Sequence, residues 1–193
     1  VGEVFFEREV LQLALTYFLL VVGSYGMNMW IPTLVKRLSG GSNVFVGLLT
    51  SLAYSAGLAG LLIIGRHSDR TGERKLHTAI PLMVSSVGFL GSVLAPNPGL
   101  AMAFVMLALA GLLGSHGPFW SMPTQFLSAE SAAVAIGLIN SVGNLGGFVG
   151  PSVVGYIDSV TGSFRGGFSF LAASVFLSSV CALLLRVPRP RVT

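Results

Sequence analysis

Apolar residues gather into six long runs along the chain, with short polar segments between them. The runs cover residues 10–33, 44–65, 76–95, 100–126, 132–158 and 167–186. A helix needs roughly 20 apolar residues to cross the hydrocarbon core of a bilayer. The pattern therefore predicts an all-α membrane protein, with residues 1–193 forming one bundle of six transmembrane helices. The connections carry helix breakers, among them Ser39-Gly40-Gly41-Ser42-Asn43 and Pro96-Asn97-Pro98-Gly99.

The second and fifth runs repeat one another. With an offset of 90 residues, 46–72 aligns without gaps on 136–162 and gives 8 identities in 27 positions, five of them glycine pairs. These two runs are three helices apart, so they cross the membrane in opposite directions. Two inverted three-helix repeats of this kind build each half of major-facilitator carriers. Duplication has also produced membrane proteins that move nothing.

Composition supports a lipid-facing surface. Hydrophobic residues make up 53% and charged residues 9% of the chain, where a soluble domain carries charge on about a quarter of its positions. With both termini on the cytoplasmic side, the inside segments hold 8 of the 11 basic residues: Arg8, Arg66, Arg70, Arg74, Lys75, Arg186, Arg189 and Arg191. Lys36, Arg37 and Arg165 remain outside, so the positive-inside rule favours this orientation. The expected location is the inner (plasma) membrane. No basic stripe with interleaved aromatics is present, which excludes a nucleic-acid surface. Cys181 is a single cysteine in an apolar run and reads as a packing residue. Acidic residues rather than a basic segment precede the first run, so no cleavable signal peptide is expected. The absence of an initial Met suggests a fragment, a split subunit or processing.

The turn after the second run reads Gly65-Arg66-His67-Ser68-Asp69-Arg70-Thr71-Gly72-Glu73-Arg74-Lys75. Gly65 permits close helix approach and Gly72 a tight turn with positive φ. Asp69 is suited to accept hydrogen bonds from free amides at a helix start. Arg70, Arg74 and Lys75 can hold anionic headgroups or pair with carboxylates. In its order of Gly, Asp-Arg and Gly the segment resembles the signature loop of the major facilitator superfamily. The version from Ser68 to Arg74 is similar to that of the anion:cation symporter family. Pro118-Phe119-Trp120-Ser121-Met122-Pro123-Thr124 and the segment from Gly137 to Pro151 resemble the tenth and eleventh helices of that family. The resemblance covers essentially the whole chain as a carboxy-terminal half. It implies transport of a small organic anion (a sugar acid, dicarboxylate or aromatic acid) coupled to H+ or Na+, by alternating access with an amino-terminal six-helix half.

Polar side chains within the runs are the candidate substrate contacts. Asn140 and Asn144 lie one turn apart on the fifth run, with Ser141 beside them. Such amides serve either helix packing or a ligand, because an unsatisfied polar group in lipid is costly. The resemblance places Asn140 in the family's pocket and an aromatic residue at Trp120. His116, one turn before Trp120, is ionisable within the membrane and therefore a functional candidate, though a bond to a backbone carbonyl would also account for it. Tyr25 and Asn28 on the first run are three residues apart beside Gly23 and Gly26. The glycine spacings around Gly143, Gly146, Gly147 and Gly150 read as helix packing. No Asp, Glu, Lys or Arg stands in the middle of a run. In the resembled family those charges lie mainly in the other half.

No cofactor or metal is called for. H-E-x-x-H, acidic pairs within the runs and a serine elbow with a placed histidine are all missing, so an enzyme is not expected. The rival reading is a transport-inactive membrane sensor or assembly subunit that keeps the carrier fold.

Overall fold

The structure, a computed structural model, describes residues 7–185. Its helices are α1 (Arg8–Ser39), α2 (Asn43–Thr71), α3 (Lys75–Leu94), α4 (Pro98–Trp120), α5 (Ala129–Asn144), α6 (Gly146–Thr161) and α7 (Phe164–Leu184), with a 3-10 turn at Pro123–Gln125. The pair α5–α6 forms one span, Ala129–Thr161, so the helices make six candidate membrane spans. The expected residue Arg186 at the end of the sixth run, and Arg189 and Arg191 after it, lie outside the described residues.

Local chemistry sets the helix ends. Ser42 Oγ accepts the Phe45 N–H at the start of α2, and Asn97 Oδ1 accepts the Leu100 N–H at the start of α4. Each side chain satisfies an amide that has no partner inside its own helix. At the other ends, Gly40, Gly72 and Gly162 adopt φ of 60°, 70° and 65°. This left-handed conformation suits glycine because it has no Cβ.

Exchange of the two triplets reproduces the main helix pairings. Helix α2 lies on α4 as α5–α6 lie on α1, α3 packs on α4 as α7 packs on α1, and α3 and α7 meet each other. Leu20, Met27 and Ile31 of α1 join Phe89, Leu109, Leu112 and Phe168 in the central core. Buried serines tie the helices together across that core. Ser85 Oγ donates to Ala108 O at 2.8 Å, Ser86 to Ala172 O at 2.9 Å, Ser178 to Thr16 O at 2.7 Å and Ser179 to Ala79 O at 2.7 Å. In lipid, close backbone approach and interhelical hydrogen bonds replace the hydrophobic drive as the force between helices.

One expectation is refined and one is corrected. The fifth run forms one span, Ala129–Thr161, with a local break at Leu145, whose N–H reaches Val142 O at 3.2 Å while its dihedrals stay helical. The glycines around it, Gly143, Gly146 and Gly147, account for the local loosening. The segment from Gly65 to Thr71 is not a loop but the last two turns of α2. Charged side chains are tolerated there because a helix of 29 residues overshoots the hydrocarbon core.

Candidate functional site

The exposed surface of the bundle has two characters. On α3 it consists of Leu76, Ile80, Met83, Val84, Val87, Leu90 and Leu94, and on α7 Phe176, Leu177 and Leu184 stand out. These faces suit lipid. On α1, α2, α5 and α6 exposed apolar residues such as Leu48, Leu52, Val142 and Phe148 are interspersed with Tyr25, Asn28, Ser51, Ser55, Asn140, Ser141, Asn144, Ser152 and Tyr156. Amides and hydroxyls gathered on one side of a membrane bundle require a wet cavity or a protein partner opposite them.

A groove of about 720 Å³ runs between α1 and α6 on this polar side, lined by Tyr25, Asn28, Met29, Trp30, Phe148, Ser152 and Tyr156 among others. Its walls stay together because α6 lies directly on the backbone of α1. A Cβ added at Gly150 would come 2.2 Å from Val22 O, and one at Gly146 would come 2.5 Å from Phe18 O. Trp30 Nε1 donates to Pro151 O at 3.0 Å, closing the groove floor. Asn28 Oδ1 accepts from Tyr54 Oη at 2.6 Å, which joins α2 to the same wall. That bond uses the amide oxygen, and the NH₂ group has no partner among the described residues.

The other sequence candidates form a second cluster. Asn144 Nδ2 donates to both Asn140 O and Asn140 Oδ1 at 2.9 Å, so the two exposed amides orient each other. The NH₂ of Asn140 and the Oδ1 of Asn144 are left over for a ligand or a facing helix. Trp120 is half-buried and meets the Tyr17 ring edge-on at 4.6 Å between centroids, while Tyr17 stacks on Phe119 at 5.3 Å. Gly143 makes room for Tyr17, whose Cδ1 lies 2.0 Å from a Cβ built on that glycine. Sequence reasoning missed Tyr17. It stands eleven residues before Asn28, which brings it within about 20° of the same helix face. His116 stands apart from both groups: its Nδ1 bonds Leu112 O at 2.8 Å within its own helix, a geometry that accounts for the side chain without a ligand.

The α2–α3 turn is held by a charge network. Arg74 Nη1 bonds Asp69 Oδ1 at 2.6 Å and Ser68 Oγ at 2.9 Å, and Ser68 Oγ donates to Glu73 O at 2.7 Å. The expected cap on the neighbouring helix start is therefore not Asp69. Glu73 fills that role: it accepts the Leu76 N–H at 2.7 Å, the His77 N–H at 3.1 Å and His77 Nδ1 at 2.8 Å. Partial burial opposes its charge, but the two amides and the imidazole prevail and hold its carboxyl below the usual range. Gly65 also departs from expectation, since a Cβ there would meet nothing within 4 Å. Gly72 keeps its expected role, and its carbonyl accepts from Gln125 Nε2 at 3.3 Å. Arg70 is exposed and makes no ion pair among the described residues. Among the described residues no cluster of three or more His, Cys, Asp or Glu is arranged to hold a metal ion.

Six apolar spans in two inverted triplets, with polar groups gathered on one face, define a membrane carrier bundle. The chain belongs to the Major Facilitator Superfamily, whose family model matches residues 13–193. It is 37% identical over 185 residues to a putative tartrate transporter of Agrobacterium vitis, which covers 96% of this chain and 41% of that protein. The quinolone resistance transporter of Acinetobacter baumannii is 39% identical over 166 residues, 86% of this chain and 38% of its own length. The inner membrane transport protein RhmT of Escherichia coli strain K12 is 35% identical over 185 residues, 94% and 42% respectively. Among solved structures, a bacterial homologue of the human lysosomal transporter Spinster, inward-facing and occupied, superposes with a TM-score of 0.73. It shares 21% identity over 93% of this chain and 44% of that one, which is a likeness of fold. The chain spans about two fifths of the length of the curated relatives. The family is one of transporters, not enzymes.

Proposed function

We propose that the chain is the carboxy-terminal half of a secondary carrier for a small organic anion in the inner (plasma) membrane, with both termini cytoplasmic. It works by alternating access against an amino-terminal six-helix bundle, and H+ or Na+ drives the uptake. The observation that carries this reading is that exposed polar side chains in the interior of the spans are confined to α1, α2, α5 and α6. The polar side offers amides, hydroxyls and aromatic rings but no charged side chain at mid-span, which suits a site whose cation and titratable group come from the facing half. The names of the relatives, a tartrate transporter among them, support an organic anion as substrate. In this reading Asn140, Asn144 and Trp120 contact the substrate from one end of the cavity and Tyr25 and Asn28 from the other. His116 serves the fourth span structurally. The Asp69–Arg74 pair stabilises one facing state and breaks in the other.

The test is uptake of tartrate and other labelled dicarboxylates by the full-length protein in proteoliposomes under an imposed proton or sodium gradient. Asn140→Ala is expected to lower uptake about tenfold, the equivalent of one hydrogen bond to a charged ligand. Asp69→Asn is expected to slow turnover with substrate affinity little changed. Undiminished uptake in Asn140→Ala and Trp120→Ala would sink the site assignment. No accumulation of any organic anion under either gradient would favour the transport-inactive sensor.

A further inference from the structure

One cleft of the bundle plays no part in the carrier reading. It opens on the apolar side between α2, α3 and α4, has a volume of about 460 Å³, and is walled by Ile64, Leu76, Ile80, Val84 and Ala110. Its only titratable lining groups are His67 and His77, which sit together at one end. We propose that this cleft seats an anionic phospholipid, with an acyl chain in the cleft and the headgroup phosphate on His67.

The hydrogen-bond order explains why a phosphate would bind there. Glu73, ionised, can only accept, so the proton between it and His77 belongs to His77 Nδ1. His77 Nε2 then faces His67 Nδ1 as an acceptor, and the two rings lie 4.8 Å apart between centroids. His67 Nδ1 must supply the proton of that contact. This leaves His67 Nε2, on an exposed residue, as the outward end of a chain that runs back to a carboxylate. With its Nδ1 proton donated to His77, His67 meets a phosphate oxygen as the imidazolium, through a second proton on Nε2.

The charges around the imidazoles have the matching sign. Arg66 and Arg70 are exposed on the last turns of α2, and Lys75 opens α3. Of the neighbouring acids, Asp69 is paired with Arg74 and Glu73 is engaged with the α3 amides and His77. The balance left for a ligand is positive. A soluble phosphate would need only this end. The apolar cleft below it, continuous with the lipid-facing surface of α3, commits the site to a phosphate that carries a hydrocarbon chain.

The test is native mass spectrometry of the purified, delipidated full-length protein against an equimolar mixture of dioleoyl phosphatidylglycerol and dioleoyl phosphatidylcholine. Wild type is expected to retain phosphatidylglycerol about fivefold over phosphatidylcholine, the preference that roughly one well-placed surface cation supplies. His67→Ala is expected to bring that ratio close to parity. Ile80→Trp, at a position 56% exposed and therefore tolerant of bulk, is expected to fill the cleft and remove the retained lipid. Val84→Trp, on the same wall, replaces it if that variant cannot be purified. Equal retention of the two lipids by wild type overturns the proposal, as does an unchanged preference in both His67→Ala and a cleft-filling variant. Release of the lipid by inorganic phosphate also overturns it, because the site would then belong to a soluble anion.

Discussion

Gly72 and Gly162 end their helices in the same left-handed conformation, φ 70° and 65°, three spans apart in the bundle. They are partners in the 90-residue repeat, and other pairs agree with them. A Cβ at Gly60 would lie 2.2 Å from Ala110 O, and one at Gly150 would lie 2.2 Å from Val22 O. Gly47 and Gly137 both face open space. In these three pairs the repeat preserves what the glycine does, turning the chain, admitting a neighbouring backbone or neither, whereas Gly65 faces open space and its partner Gly155 meets the Trp30 ring at 2.8 Å.

This sorting predicts the effect of alanine at each pair. Gly60→Ala and Gly150→Ala should each lower stability by about 1–3 kcal/mol, since the clash is with backbone that cannot rotate away. Gly72→Ala and Gly162→Ala should cost about 1–2 kcal/mol through φ alone. Gly47→Ala and Gly137→Ala should be neutral or slightly stabilising. Thermal unfolding of the six variants in detergent checks the order.

Arg37 and Asp158 join the far ends of α1 and α6. The guanidinium bonds both carboxylate oxygens, with Nη2 to Oδ2 at 2.8 Å, and its Cζ lies 4.3 Å from the Phe164 ring centroid. The Arg37 side chain is 46% exposed, so solvent screens the pair. A double-mutant cycle with Arg37→Ala and Asp158→Ala should give a coupling of about 0.5–1 kcal/mol, and added salt should reduce it.

Glu73 makes stability depend on pH at the acidic end. Its folded pKa lies below the ordinary value of 4.5, so its contribution is fully present above 4.5 and disappears as pH falls through the lower folded value. Glu73→Gln removes the charge at every pH. The stability difference between wild type and this variant should hold steady at neutral pH and shrink below pH 4.5. Unfolding measured across that range tests the sign.

Much of the fold was legible because lipid is a demanding solvent. A run that must satisfy its own backbone and face hydrocarbon leaves a plain hydropathy signal, and all six spans follow from it. Their ends were harder to read. Helix α2 continues through Asp69 and Arg70 because headgroups and water accept charges that a hydropathy reading treats as a stop. The interruption at Leu145 was hidden because that residue is apolar and the glycines beside it also fit close packing. Asp69 and Glu73 flank the same glycine, and only coordinates tell which carboxylate reaches the α3 amides. The site was legible where a side chain was out of place in lipid, as with Asn28, Asn140 and Asn144. Tyr17 carries no such mark, since a tyrosine suits a core, an interface belt or a pocket wall.

The break at Leu145 marks where the fifth span changes its seat on α1. It divides one span into two helices of 16 residues each, α5 and α6. Both rest on α1, α5 where Gly143 meets Tyr17 and α6 where Gly146 and Gly150 meet the Phe18 and Val22 carbonyls. Leu145 itself keeps helical dihedrals, φ −59° and ψ −29°, so the two arms remain one span seated along α1.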